Sequence, residues 1–235
     1  MDMLETIILL SGPVEQSVLG QRLKQAAPGI EVRGVETLTE LLAVPVERLA
    51  GARLIGFTTP VVVPRDLLAA LGYGAYNFHP GPPELPGLCP AQYAIYRGAI
   101  SFGATAHRMV ERVDAGPIVE VGRFEIPAGA SLAQIEAAAY RECARLFWLL
   151  SHDLATREAP LLERPIAWGA EKSTFRSCSA LCDIPLDIEP EELQRRVAAF
   201  GRGVFGIAPR LMLHGVEFRY APPPPVAPDD RGFKR

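Results

Sequence analysis

Thr6-Ile7-Ile8-Leu9-Leu10 is an unbroken apolar run that stops at Ser11-Gly12-Pro13, and Arg53 to Phe57 is a second such run. A strand with one wet face alternates apolar and polar residues. A strand apolar throughout is buried on both faces, and that happens in parallel sheets covered by helices. The segments between fit this demand. Val14 to Ala27 reads as a helix with Val18, Leu19 and Leu23 inward and Pro28-Gly29 as its stop. Ile30 to Arg33 is a short strand, and Glu36 to Leu49 holds one short helix. Helices over Arg65 to Leu71 and Pro90 to Gly98 bracket a strand at Ala75 to Phe78. Further strands follow at Gly103 to Met109 and after Asp114. Strands alternating with helices imply crossover connections, so the expected fold is α/β, doubly wound around a mainly parallel sheet.

Ser131-Leu132-Ala133-Gln134 is a capping box, in which the Ser side chain caps the helix start and the Gln side chain reaches back. Leu132, Ile135, Ala139, Cys143, Leu146, Leu150 and Leu154 then recur on one face for about six turns. The chain changes character after Pro160. Glu163 to Cys182 has no clear period, and Glu189 to Phe200 reads as a helix with Leu193, Val197 and Phe200 inward. Arg210 to His214 and Val216 to Tyr220 flank Gly215 as a hairpin. Residues 221–235, APPPPVAPDDRGFKR, read as a disordered tail. Gly201-Arg202-Gly203-Val204-Phe205-Gly206 fits the dinucleotide-binding glycine pattern, but it follows a helix and Pro209 bars a helix after it. That context predicts a turn and no dinucleotide site.

Composition excludes several classes. The net charge of −3 supplies no basic field for nucleic acid. No apolar segment approaches the roughly 20 residues of a membrane span. The start, MDMLETIILLSG, lacks the basic region of a signal peptide, so a cytoplasmic location is expected. The four cysteines, Cys89, Cys143, Cys178 and Cys182, form no zinc or redox spacing, though Cys178 and Cys182 can share a helix face.

The chemistry-bearing side chains concentrate between Tyr76 and Val121. The one Asn of the chain, Asn77, lies two residues before His79 at a strand end. In extended backbone the two share a face. His107 lies on the next strand, and Asp114 precedes the turn Ala115-Gly116-Pro117. An amide, an imidazole and a carboxylate at strand edges sit where open α/β sheets place their ligands. Each has a plain structural alternative: a satisfied core histidine, or an Asp that only shapes a turn.

The three pieces together resemble a family. Asn77-Phe78-His79-Pro80, Gly103-Ala104-Thr105-Ala106-His107 and Asp114-Ala115-Gly116-Pro117-Ile118 are similar, in order and spacing, to the folate-dependent formyltransferases. These act on glycinamide ribonucleotide, methionyl-tRNA or sugar amines. The resemblance implies a Rossmann-like catalytic domain over residues 1–170 and a short extension over 171–220. It implies 10-formyltetrahydrofolate as formyl donor and Asn77, His79 and Asp114 as the catalytic trio, with Thr105 and His107 in support. Val61, Val62 and Val63, between two prolines, would line the pterin pocket or else belong to the core. Val110, Glu111, Arg112 and Val113 would wrap the pterin through backbone.

Formyl transfer to an amine needs an oxyanion stabilised and a proton moved. The Asn77 amide donates without titrating. His79 donates when charged or shuttles the proton, and Asp114 orients His79 or positions a relaying water. No metal is required. The loop Pro80-Gly81-Pro82-Pro83-Glu84-Leu85-Pro86-Gly87-Leu88 departs from the family, which has Ser-Leu-Leu-Pro and then a basic residue. The resemblance implies that this loop faces the acceptor. The expected reaction is transfer to a small-molecule amine, an amino sugar or its nucleotide. Release of formate to water and folate binding without turnover are the alternatives. Val204, Phe205, Ile207, Leu211, Leu213 and Phe218 either form a homodimer contact or pack on their own domain.

Overall fold

The structure is a computed structural model that describes Met3–Pro222; the tail expected over 221–235 lies outside the described residues from 223 onward. The chain divides into two compact units between Thr174 and Phe175.

The first unit is a six-stranded sheet in the order β2-β1-β3-β4-β5-β6. Its strands are β1 (Thr6–Leu10), β2 (Glu31–Val35), β3 (Ala52–Phe57), β4 (Ala75–His79), β5 (Ser101–Arg108) and β6 (Ile118–Glu125). The first four are parallel, and β5 and β6 join as antiparallel pairs. The doubly wound α/β expectation therefore holds. β1 and β3 are buried at every position, as their apolar runs require.

Helices cover both faces. α1 (Pro13–Ala26) and α6 (Leu132–Thr156) bury Leu19, Leu23, Cys143, Leu146 and Phe147 against Ile7, Leu9, Ile55, Phe57, Tyr76 and Phe78. The short α2 (Leu38–Leu42), α3 (Val46–Leu49) and α4 (Arg65–Ala70) bury Leu41, Leu49 and Leu67 against Ile8, Leu10, Leu54 and Ala75. Two short helices therefore stand where one was expected, because Pro45 caps a fresh start at α3. α1 turns Leu19, Gly20 and Leu23 to the sheet, which leaves Val18 50% exposed rather than inward. α5 (Pro90–Tyr96) buries Ala91 and Ala94 beside Ile135 and Ala139.

α6 opens on the expected capping box and runs 25 residues, about seven turns. Its far end is held by Arg53. This fully buried side chain donates to the carbonyls of Leu154 at 2.6 Å, Arg157 at 2.7 Å and Asp153 at 3.2 Å. The Leu154 and Arg157 carbonyls are among those a helix end leaves without a backbone partner, while Asp153 also accepts from the Arg157 N–H at 3.0 Å.

The second unit contains α7 (Phe175–Cys182), α8 (Pro190–Phe200) and the hairpin of β7 (Arg210–Leu213) and β8 (Val216–Arg219). α7 falls where the sequence showed no period, and it buries Cys178 and Cys182 on one face. The glycine-rich segment after α8 is a tight turn, with Val204 and Ile207 bonded to each other and positive φ at Gly203, Phe205 and Gly206. Among the described residues no helix is long and apolar enough to cross a membrane.

Candidate active site

Strand parity builds the site. Tyr76 and Phe78 of β4 enter the core under α6, so Asn77 and His79 take the opposite face. On β5, Ala104 and Ala106 enter the same core, which turns Thr105 and His107 to the face of Asn77 and His79. The antiparallel register sets Asn77 opposite His107 and His79 opposite Thr105. Four polar side chains thus form a two-by-two patch on a sheet face that α2–α4 leave open. The register slips by one residue between Ala106 and His107 against β6, a bulge beside the patch.

Asp114 completes it. Its φ of 47° is left-handed, a conformation that Asp tolerates and that turns the β5–β6 loop back on itself. The next turn residue, Gly116, has no room for a side chain: a Cβ would meet the Arg108 carbonyl at 1.9 Å. The carboxylate thereby lands between the imidazoles. Oδ2 lies 3.4 Å from His79 Nδ1, and Oδ1 lies 3.3 Å from His107 Nε2. The Gly87 N–H also donates to Oδ2, at 2.9 Å.

The remaining ring nitrogens meet oxygens as well. His79 Nε2 lies 3.2 Å from the Leu85 carbonyl, and His107 Nδ1 lies 3.0 Å from the Arg108 carbonyl. The Asn77 amide nitrogen lies 3.3 Å from His107 Nε2, while Asn77 Oδ1 is buried without a hydrogen-bond partner. Thr105 donates to the Gly81 carbonyl at 2.8 Å, which fixes the loop just past His79. His79, Thr105, His107 and Asp114 are buried, whereas Asn77 is only half-buried.

Burial governs the ionisation of His79, lowering its pKa; Asp114 opposes this from one side, and His107 adds to it. Burial also pushes Asp114 up. The His107 hydrogen bond, the charges of His79 and His107 and the Gly87 N–H outweigh it and hold the carboxyl at about 2. At neutral pH the result is a fixed carboxylate beside a neutral imidazole whose nitrogens both face acceptors. Two acceptors are satisfied at once only by the imidazolium. His79 is thus held as a neutral base, and the Asp114 carboxylate beside it balances the charge when a proton is delivered.

The two loop segments expected at the pterin meet beside Asn77. A Cβ on Gly56 would touch Met109 Cε at 2.7 Å, Asn77 Oδ1 at 2.9 Å and Thr59 Cγ2 at 3.2 Å. Arg65 and Glu111 join the same segments by an ion pair at 3.8 Å. Val63 is buried in the core, Val61 packs against it, and Val62 is exposed. Glu111 and Arg112 are exposed, as are the Val110 and Val113 side chains beside them. An apolar rim, a glycine that lets Met109, Thr59 and Asn77 draw together, and an unpartnered amide oxygen fit a flat heteroaromatic ring with polar edges.

Trp168 was not found from sequence. Its ring stands edge-on to His107 at 5.0 Å and to His79 at 6.0 Å, and its N–H donates to the Gly116 carbonyl at 2.7 Å. Its segment carries no period, and the one available signal was that the chain has only two Trp.

Comparison with known proteins finds similar sequences and folds. The profile of the formyl transferase family matches residues 56–147, the span that holds Asn77, His79, His107 and Asp114. A methionyl-tRNA formyltransferase of Bifidobacterium adolescentis is 31% identical over 182 residues, which are 76% of this chain and 54% of that protein. The chain thus spans about half the length of that curated relative. In fold, it is similar to a sugar N-formyltransferase from Shewanella sp FDAARGOS_354, with a TM-score of 0.73 and 16% identity over 93% of this chain and 97% of the other. It is also similar to an N-formyltransferase from Helicobacter canadensis solved with folinic acid and dTDP-3-aminofucose. There the TM-score is 0.62 and the identity 11%, over 91% of this chain and 85% of that one. Residues 56–147 are thus similar to the formyl transferase family, and the fold is similar to that of solved N-formyltransferases.

Proposed function

We propose that this protein transfers a formyl group from 10-formyltetrahydrofolate to the amine of a small molecule, an amino sugar or its nucleotide. The observation that carries this is the Asp114 carboxylate set between His79 and His107 with the Asn77 amide alongside. The Shewanella sugar N-formyltransferase, of nearly the same extent as this chain, supports the choice of acceptor.

When bound, 10-formyltetrahydrofolate supplies the formyl group. Met109, Val62 and the Val110–Val113 backbone would hold its ring beside Asn77. Asn77 donates an amide N–H to the oxygen on which negative charge develops. A positioned, non-titrating donor of this kind contributes about 10²–10³ in rate. His79 takes up the proton that the amine loses, and Asp114 holds the charged imidazole until the proton is returned. His107 Nε2 faces both Asn77 and Asp114, and it bonds one of them at a time: unprotonated it accepts from the Asn77 amide, protonated it donates to the Asp114 carboxylate.

Formate release to water is the second reading. The burial of His79, His107 and Asp114 speaks for transfer, because bulk water does not reach the base. Incubation with 10-formyltetrahydrofolate, with and without an amino-sugar nucleotide, tests the proposal. Tetrahydrofolate formed only when the amine is present is the expected result. Fast formate release without it selects hydrolysis, and binding without turnover selects a folate-binding protein. We propose further that the hairpin is a homodimer contact, supported by the exposed Phe205, Met212, Val216 and Phe218. A light-scattering mass at the 25.5 kDa of one chain would count against it.

A further inference from the structure

We infer that Trp168 is a positioning residue of this site: its indole closes the His79–Asp114–His107 cluster against water and so keeps the formyl group for an amine, an inference that rests on the formyl-transfer reading. Trp168 belongs to a strap that runs across the site from Glu163 to Ser173. Arg164 N–H donates to the Ile118 carbonyl at 2.7 Å, and Lys172 Nζ donates to the Val113 carbonyl at 2.7 Å. Gly169 N–H donates to Pro83 at 2.9 Å and Ser173 N–H to Pro86 at 3.0 Å, while Leu88 N–H returns a bond to Ser173 at 3.2 Å. The strap is thus stitched to both loops that carry the cluster, the one after His79 and the one around Asp114.

Trp168 is the plate of this strap. Its ring stands perpendicular to the His107 imidazole and at 70° to that of His79, and its own N–H is anchored on Gly116, two residues from Asp114. It is half-buried, with imidazoles against it and exposed surface remaining. The three clustered side chains are about as buried as the core, whereas Asn77 stays half-buried. An acceptor therefore reaches the site from the Asn77 side, and the imidazole side stays shut. Water admitted there would meet the same base that serves the amine. Exclusion of water is one of the general functions of a closed active site.

The groups facing His79 are the Asp114 carboxylate, the His107 ring, the Leu85 carbonyl and, from the strap, the Lys172 ammonium. Removal of the indole hydrates His79 and also frees the Gly116 carbonyl, and hydration raises a pKa that burial has lowered.

The test uses W168A and W168F with two measurements. In W168A, formate release from 10-formyltetrahydrofolate without acceptor rises about tenfold as water gains the base. The His79 ring-proton signal, assigned with H79N, titrates at higher pH than in the wild type. W168F restores low release and the lower midpoint, because a phenyl ring still covers the imidazoles. If W168A does not fold, W168L takes its place, leaving part of the cover and a smaller change in the same direction. An unmoved His79 midpoint, or formate release no faster than wild type, overturns the inference. Donor binding by the wild type, followed alongside, separates the failures. A protein that binds no donor refutes the formyl-transfer reading, and one that binds donor but shows no change refutes the role of Trp168.

Discussion

His79 and Asp114 hold each other in the interior of the first unit: His79 Nδ1 lies 3.4 Å from Asp114 Oδ2, and each residue is 5% exposed. A carboxylate placed only to form a turn would face solvent. Asp114→Asn separates the two roles. Asn accepts the left-handed φ of 47° and can still take the Gly87 N–H on its amide oxygen, so the turn survives. It carries no charge to balance a protonated His79. The expected outcome is a loss of about 10²–10⁴-fold in turnover, with thermal melting and folate affinity close to wild type. Turnover within about threefold of wild type, far short of the loss of an acid/base group, would reduce Asp114 to a turn former.

The same pair sets an acid limit on stability. The His79 pKa in the fold lies below its ordinary 6.5, so the unfolded chain takes up a proton that the folded chain refuses. Its contribution is complete above about 6.5 and is lost as pH falls toward the folded value. Asp114 acts in the same direction lower down: its contribution is complete above 3.8 and is lost as pH falls through about 2. The melting temperature is therefore expected to drop on going from pH 7 to pH 5. His79→Gln, uncharged throughout, should flatten that slope. A wild-type slope unchanged in the variant would place the acid sensitivity elsewhere.

The legibility of this chain follows from which signals are local. The runs at β1 and β3, the capping box of α6 and the facing of Asn77 and His79 depend on residues a few positions apart. Their physics is complete within the segment. His107 and Thr105 were found as neighbours in motif, but their pairing with Asn77 and His79 is a matter of register, which no short window contains. Trp168 and the carbonyls of Leu85 and Gly116 were beyond reach for a related reason. A backbone oxygen has no sequence signature, and a Trp in an aperiodic strap becomes informative only once the strap is laid over the sheet. α7 was missed because eight residues are too few for a period to stand out from its surroundings.

Arg53 offers a test of the scaffold away from the chemistry. Its guanidinium lies 5.4 Å from the centre of the Tyr76 ring and satisfies the last carbonyls of α6. Burial lowers its pKa, with Tyr76 the first of the opposing influences. Arg53→Met keeps the apolar stem and removes every donor, leaving buried carbonyls unpaired. The expected cost is about 3 kcal/mol, the scale of orphaning such groups. Chemical denaturation should read this as a lower midpoint with an unchanged slope. A loss below about 1 kcal/mol, within the range of an ordinary substitution, would mean that water replaces the guanidinium at the helix end.

Gly81, in the loop after His79, has no room for a side chain. A Cβ there would lie 2.6 Å from His79 Nε2 and 2.7 Å from Pro90 Cβ. Pro90 is the rigid first residue of α5, and the Gly81 carbonyl is held by Thr105, so the backbone cannot back away cheaply. The imidazole is then what moves, out of line with Asp114. Gly81→Ala should therefore lower kcat at least about tenfold, the cost of a misplaced reacting group being up to roughly a hundredfold per ångström. Folate affinity should hold, because Gly56 and the 109–113 segment are untouched. Kinetics and folate binding on one preparation, with melting as the folding control, decide the matter. An unchanged kcat would mean that the loop after His79 gives way as a whole, and that the Leu85 carbonyl contact is not needed to hold the imidazole for proton transfer.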